Sequence, residues 1–290
     1  MDYLIRGTLK KFPVRFFIAN TTKTVENMNL IHNTTPTSSA AAGRVLTATV
    51  LMGSMLKNRS DKLSIIIEGD GKLNKVIATS GNDLKVKCEI YNPNVGLMIN
   101  KFDKIDVAKA VGKGFLTVTY DSGEKEPYSG KTELITSEIG EDIAYYYLKS
   151  EQIPSVVSLG VLIDRETKIK SAGGFIIQIM PDCSEDIINF LEKRVNSIQS
   201  ISQLIDSGMS CEEISKEIFK DYEFNIHENN SIEYFCDCSK TKVEKVLISL
   251  GKNKLNEIIY EDKKIEVKCH FCNTTYNFNE IDIHNLLKTI

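Results

Sequence analysis

Cys236 and Cys238 form a C-x-C step, and Cys269 and Cys272 form a C-x-x-C step after a thirty-residue insert. Zinc takes four ligands in a tetrahedron, and two short cysteine knuckles brought together by folding supply them with no position left open for a substrate. The pattern predicts one tetrathiolate Zn2+ site on Cys236, Cys238, Cys269 and Cys272. A closed site serves structure or sensing rather than hydrolysis. Clustered thiolates are also what peroxide and hypochlorous acid oxidise, so the same four residues are candidates for releasing the metal and forming disulfides.

Other chemistries fail on spacing. Gly130, Lys131 and Thr132 look like the end of a phosphate-binding loop, but Lys125 stands where the upstream glycine is required. Gly112 and Gly114 lack the third glycine of a dinucleotide fingerprint and read as a tight turn before the Phe115 strand. Ser54 and Lys57 match S-x-x-K without its S-D-N or K-T-G partners. His32, His227, His270 and His284 are scattered and form no H-x-E or H-E-x-x-H set. A catalytic zinc is therefore not expected, and the chain is read as a non-enzyme. His270, inside the second knuckle, reads as a surface side chain. Lys240, Lys242 and Lys268 either soften the charge of the thiolates or are solvated surface. Cys88, Cys183 and Cys211 read as small, partly buried side chains.

Those knuckles need a body to hold them. The chain has 290 residues, 42% of them hydrophobic, enough for a sizeable core and for two or three domains. Lys and Arg number 36 against 39 Asp and Glu, a net charge of -3, which argues against nucleic acid as a partner. No apolar run is long enough to span a membrane, and the first residues lack the order of a secretion signal. A cytoplasmic protein is expected. In a reducing compartment, paired knuckles fit metal better than permanent disulfides.

Branched and aromatic runs predict strands at 4–9 and 14–19, followed by a helix over 22–33 and a helix over 38–57 that is apolar nearly all round and so lies inside a domain. Arg44 argues against that helix being a membrane span. Four strands follow at 63–67, 73–78, 84–90 and 115–120, separated by turn-rich steps that imply a largely antiparallel sheet. A helix over 138–148 capped by Ser137 leads to strands at 156–163 and 175–180. From Ser184 to about Tyr222 the period becomes helical, with Ile187, Leu191, Val195 and Ile198 on one face and charges opposite. Ser210 and Glu213 have capping-box spacing for a further helix. Around the knuckles, a helix at 240–250 begins at Ser239 and ends at Gly251. A short helix at 255–259 and strands at 265–267 and 276–278 complete the unit. The fold class is α+β: an N-terminal sheet-and-helix domain (1–180), a helical linker (181–230) and a small C-terminal zinc-binding domain (231–290).

The stretch Asn33-Thr34-Thr35-Pro36, then 40–56 with Gly43, Arg44, Leu46 and Thr47, resembles the N-terminal signature of the redox-regulated thirty-three-kilodalton heat-shock chaperones, the HslO family. Matching landmarks follow in order: Glu126 to Gly130, Ser150 to Ser155, Leu159 to Val161, Ala172 to Phe175 with Gln178 and Pro181, and both knuckles with Ser239, Asn273, Tyr276 and Phe278. Lys87-Cys88 departs from the family's usual Arg-Gly. The mass of 32.6 kDa agrees. The resemblance implies an ATP-independent holdase that binds unfolded proteins under oxidative stress. It implies a form inactive while reduced and zinc-bound, and activation by disulfides Cys236–Cys238 and Cys269–Cys272, zinc release and unfolding of the linker. It also implies a homodimer when active, associated through the N-terminal domain. The other reading of the knuckles, a constitutive zinc-binding structural or nucleic-acid-interaction module, would keep the metal permanently.

Overall fold

The computed structural model describes residues 1–124, 126–261 and 263–289; Lys125, which decided against the phosphate loop, lies outside them. The chain forms two compact units, Met1–Phe235 and Cys236–Ile290.

The first unit opens with β1 (Tyr3–Leu9), β2 (Val14–Asn20), α1 (Thr22–His32) and α2 (Pro36–Gly53). A meander of β3 (Lys62–Gly69), β4 (Lys75–Gly81) and β5 (Lys85–Ile90) follows, then α3 (Val107–Val111), β6 (Gly114–Asp121) and β7 (Tyr128–Glu133). Next come α4 (Gly140–Tyr146), running into a π-helical turn over 147–151, and the long strands β8 (Ser155–Ile163) and β9 (Ile169–Ile179). The helices α5 (Glu185–Ser197), α6 (Ile201–Asp206) and α7 (Cys211–Phe219) precede β10 (Phe224–Ser231) and the short β11 (Glu233–Tyr234).

These strands make two sheets, one in the order β10-β1-β2-β9-β8 and one in the order β11-β5-β4-β3-β6-β7. Every pairing is antiparallel except β11 on β5. The expected antiparallel meander is present, with β7 added on its edge. The α2 helix packs on β3, β4 and β5 of one sheet and on β8 and β9 of the other, so it is buried along almost its whole length. That is why its sequence carries no polar face. Arg44 is not solvated there: its Nη1 donates to the Glu138 carbonyl at 3.1 Å and pairs with the Glu138 carboxylate.

Strand alternation divides β1 and β2 between two cores. Leu4, Phe17 and Ala19 face α2 in the main core, whereas Ile5, Phe16 and Ile18 face the other way. There they meet Phe175 and Ile177 of β9 and the apolar stripes of α5, α6 and α7. Ile187, Leu191, Ile201, Ile214, Ile218 and Phe219 are all buried in this second core. Full burial of each such side chain is worth about 1.5–3 kcal/mol. Two glycines let α6 settle on the sheet. Gly160 and Gly173 face each other across β8 and β9, and a Cβ on either would collide with Ser202 or Ile205 of α6.

Local expectations are met with informative exceptions. The capping box at α7 is formed, the Ser210 N–H donating to Glu213 at 2.8 Å and the Glu213 N–H to Ser210 at 3.2 Å. At α4 the expected cap Ser137 instead donates to the Gly112 carbonyl. Asp142, one turn inside, collects the N–H groups of Ile135, Thr136, Ser137 and Ile139. A carboxylate with two oxygens satisfies four loop donors where one hydroxyl could not. The stretch read as a helical linker ends in β10, a polar strand that pairs with β1. Lys87-Cys88 continues β5 without a turn, with Cys88 buried.

The second unit holds α8 (Lys240–Ser249), α9 (Lys252–Glu261), a hairpin of β12 (Lys264–Lys268) and β13 (Thr275–Asn279), and α10 (Glu280–Leu287). Its core is small: Val243, Leu247, Leu255, Phe278, Ile283 and Leu286. Gly251 ends α8 at φ +81°, a left-handed backbone that suits glycine.

Candidate metal centre

Both knuckles are held by local structure. Cys236 and Cys238 lie in the extended stretch that leads into α8, whose start is fixed by the Ser239 hydroxyl accepting from the Lys242 N–H at 3.3 Å. Cys269 and Cys272 occupy the turn between β12 and β13. The Cys269 N–H donates to Thr274 and the Asn273 N–H to the Cys269 carbonyl, with Asn273 at φ +58°. Asparagine tolerates that left-handed backbone better than most residues, which suits it to closing a knuckle.

Folding brings the four sulfurs within 4.8 Å of one another. The Cys236 and Cys269 sulfurs are 3.7 Å apart and the Cys238 and Cys272 sulfurs 3.2 Å apart. Zinc–sulfur bonds of about 2.3 Å in a tetrahedron place sulfurs about 3.8 Å from each other, so the donor set fits such an ion closely. Both distances far exceed the roughly 2.05 Å of a disulfide. All four cysteines are free, as are Cys88, Cys183 and Cys211.

Two neighbours of the sulfurs were not singled out from the sequence as partners of the thiols. The Tyr276 hydroxyl donates to the Cys238 sulfur at 3.1 Å, and Thr274 Oγ1 lies 3.2 Å from the Cys272 sulfur. The Cys238 contact, with burial and the other sulfurs adding to it, pushes the Tyr276 hydroxyl up to about 12, so it stays a donor. Burial pushes the Cys236 and Cys238 thiols up. It acts the same way on Cys272, but hydrogen bonds with Thr274, Cys238 and Cys269 outweigh it and bring that thiol down to about 7. The sequence signals for Tyr276 were its place four residues after Cys272 and its standing among the family landmarks, neither of which showed the contact.

Two of the lysines near the knuckles have acidic partners. Lys242 pairs with Asp237, and Lys240 with Asp282 at 3.4 Å while its ammonium sits over the Phe278 ring. His270 is exposed, and the only metal-sized cluster of His, Cys, Asp or Glu among the described residues is the four-cysteine one. No helix among the described residues is long and apolar enough to cross a membrane.

Fold and site together define an α+β protein carrying a small C-terminal module organised around four cysteines able to hold a metal ion. Residues 2–279 match the family model described as Hsp33 protein. The chain is 46% identical over 289 residues to the 33 kDa chaperonin of Clostridium botulinum (strain 657 / Type Ba4), covering 99% of this chain and 98% of that one. It is 45% identical over 291 residues to the 33 kDa chaperonin of Clostridium acetobutylicum, covering 100% and 98%. The solved structure of the 33 kDa chaperonin (heat shock protein 33 homolog) from Thermotoga maritima superposes with a TM-score of 0.91 at 34% identity. That match covers 99% of this chain and 98% of the other. The chain belongs to the Hsp33 family, a family of heat-shock chaperones.

Proposed function

We propose that this chaperone is a redox-regulated, ATP-independent holdase that binds unfolded proteins in the cytoplasm under oxidative stress. In this reading, residues 1–180 bind clients and dimerise, 181–230 act as a metastable linker, and 231–290 form the redox-switch zinc domain.

One Zn2+ bound by Cys236, Cys238, Cys269 and Cys272 would tie the two knuckles together and supply about 10–16 kcal/mol of apparent binding energy to a unit with little core of its own. The single observation that carries the proposal is the convergence of these four sulfurs beside a core of six buried side chains among the described residues. Oxidation pairing Cys236 with Cys238 and Cys269 with Cys272 gives two short loops, neither of which crosses the insert. Such loops recover little of the lost stability. Short sulfur contacts run between the knuckles, from Cys236 to Cys269 and from Cys238 to Cys272. Local pairing leaves the two knuckles without a link to each other, which couples oxidation to unfolding.

The linker then leaves the sheet. Release of α5, α6 and α7 uncovers Ile5, Phe16, Ile18, Phe175 and Ile177 on the sheet and the apolar stripes on the helices. Apolar patches of this extent, rimmed by charge, bind unfolded chains and stay soluble. The near-balanced charge of the chain gives no support to the nucleic-acid reading. The test is light scattering from a heat-unfolding client, with the chain added reduced and zinc-loaded or after peroxide at elevated temperature. Suppression by the oxidised sample alone, with zinc release, is expected; equal behaviour of the two samples returns zinc to a permanent structural role.

A further inference from the structure

Two cysteines outside the cluster bracket the helices that cover the second core. Cys183 lies two residues before α5, is half-buried, and packs at the edge of that core. Cys211 begins α7 and is 1% exposed. Its N–H donates to the Tyr3 hydroxyl at 2.9 Å, and its thiol lies against the Asn20 backbone.

Strand register places the two at opposite ends of the sheet. Tyr3 and Asn20 are partners at one end of β1 and β2. At the other end Val14 pairs with Ile179, and the Met180 N–H donates to the Pro13 carbonyl just before the turn that carries Cys183. From Val14 to Asn20 the strand rises roughly 20 Å at about 3.3 Å per residue. A disulfide needs its Cα atoms within about 7 Å. With the helices docked, the two thiols are too far apart to join.

The geometry points to a second oxidation site: a disulfide between Cys183 and Cys211 that forms only after α5, α6 and α7 leave the sheet and then bars their return. This rests on the reading that the segment is released on activation. The half-exposed Cys183 is reached first. Its thiolate attacks one oxygen of hydrogen peroxide, the O–O bond breaks, and hydroxide leaves and is protonated to water, giving a sulfenic acid. The Cys211 thiolate, now in solvent, attacks that sulfur and the S–O bond breaks, releasing a second water. Two thiols and one peroxide become one disulfide and two waters. While docked, Cys211 is shielded, burial holding its thiol up at about 12. Released, residues 184–210 are a flexible chain whose ends meet far faster than thiols oxidise. The cross-link fixes those ends close together, whereas docking requires them a sheet's length apart, so the open state persists until a reductant arrives.

The test uses the full zinc-loaded chain in three samples treated with peroxide: cold, at elevated temperature, and in urea at a concentration where amides of 185–219 exchange while those of β2 and β9 stay protected. Thiols are then blocked and peptides mapped without reductant. A Cys183–Cys211 peptide at least ten-fold more abundant in urea than in the cold is expected. After urea is removed, the native chain should keep 185–219 exchanging until dithiothreitol is added. Cys183→Ser, a half-exposed site, should regain protection without it. Both thiols recovered as free in the urea sample, or equal cross-linking in the cold, would overturn the proposal. If the heated sample keeps 185–219 protected while the urea sample cross-links, the release-on-oxidation reading falls and the disulfide site stands.

Discussion

The Tyr276 hydroxyl donates to the Cys238 sulfur at 3.1 Å, tying strand β13 of the second knuckle's hairpin to a cysteine of the first. With zinc on the four cysteines, it would be a contact to a ligand atom from outside the ligand set. Such contacts orient sulfur lone pairs and temper thiolate charge, and losing one commonly lowers metal affinity about 10–100-fold. Tyr276→Phe keeps the ring and removes only the donor. Its zinc affinity, measured by competition with a chromogenic chelator, should fall at least about ten-fold at the low end of that range. An unchanged affinity would mean the hydroxyl is a bystander.

Disulfide mapping of the oxidised chain separates two outcomes with opposite mechanical effects. Pairing within knuckles would leave them unlinked; pairing of Cys236 with Cys269 or Cys238 with Cys272, whose sulfurs lie 3.7 and 3.2 Å apart, would keep them joined. Within-knuckle disulfides are expected, together with loss of amide protection over 240–287. Cross-knuckle disulfides with protection retained would remove the mechanical basis of activation.

The cluster was legible because ligand spacing is a local property of the chain, and the buried helix α2 because its apolar residues leave no polar face. The strands β7 and β10 were not. Within β7 only Gly130 is buried, and in β10 every residue but Phe224 is exposed, so neither has an alternating apolar face to read. Their conformation comes from backbone pairing with β6 and β1, which one sequence does not display. Helix α10 went unread although Asn279 and Asp282 stand at capping-box spacing and do form that box. The role of Tyr276 depends on how the chain reverses after Cys272, and the glycines of β8 and β9 gained meaning only when α6 was seen above them.

The Glu213 carboxyl sits below the usual carboxylate range because it accepts hydrogen bonds from the backbone N–H and then the hydroxyl of Ser210. A carboxyl depressed in the folded state contributes its stability above the unfolded value, about 4.3, and loses it as pH falls through the lower folded value. Acidification through that window should loosen α7 first, seen as faster exchange of the amides of residues 211–219. Glu213→Gln should exchange faster at neutral pH and lose this part of the pH dependence. A variant whose acid profile matches the native chain would assign the loosening to other groups.

Gly160→Ala tests the docking of the helices without touching a cysteine. The three atoms nearest the added Cβ belong to Ser202 and Ile201 of α6, at 2.8–3.1 Å. Overpacking of this kind costs about 1–3 kcal/mol. The cost falls first on docking of α6, whose side chains stand nearest the new methyl. If docking of these helices is what hides the client surface, the reduced, zinc-loaded variant should already slow client aggregation. Its amides over 185–219 should exchange roughly ten-fold faster or more, since each 1.4 kcal/mol of opening free energy is a factor of ten. The four knuckle thiols should remain as slow to react as in the native chain. Faster exchange with no gain in suppression would place the client surface elsewhere than under α5, α6 and α7.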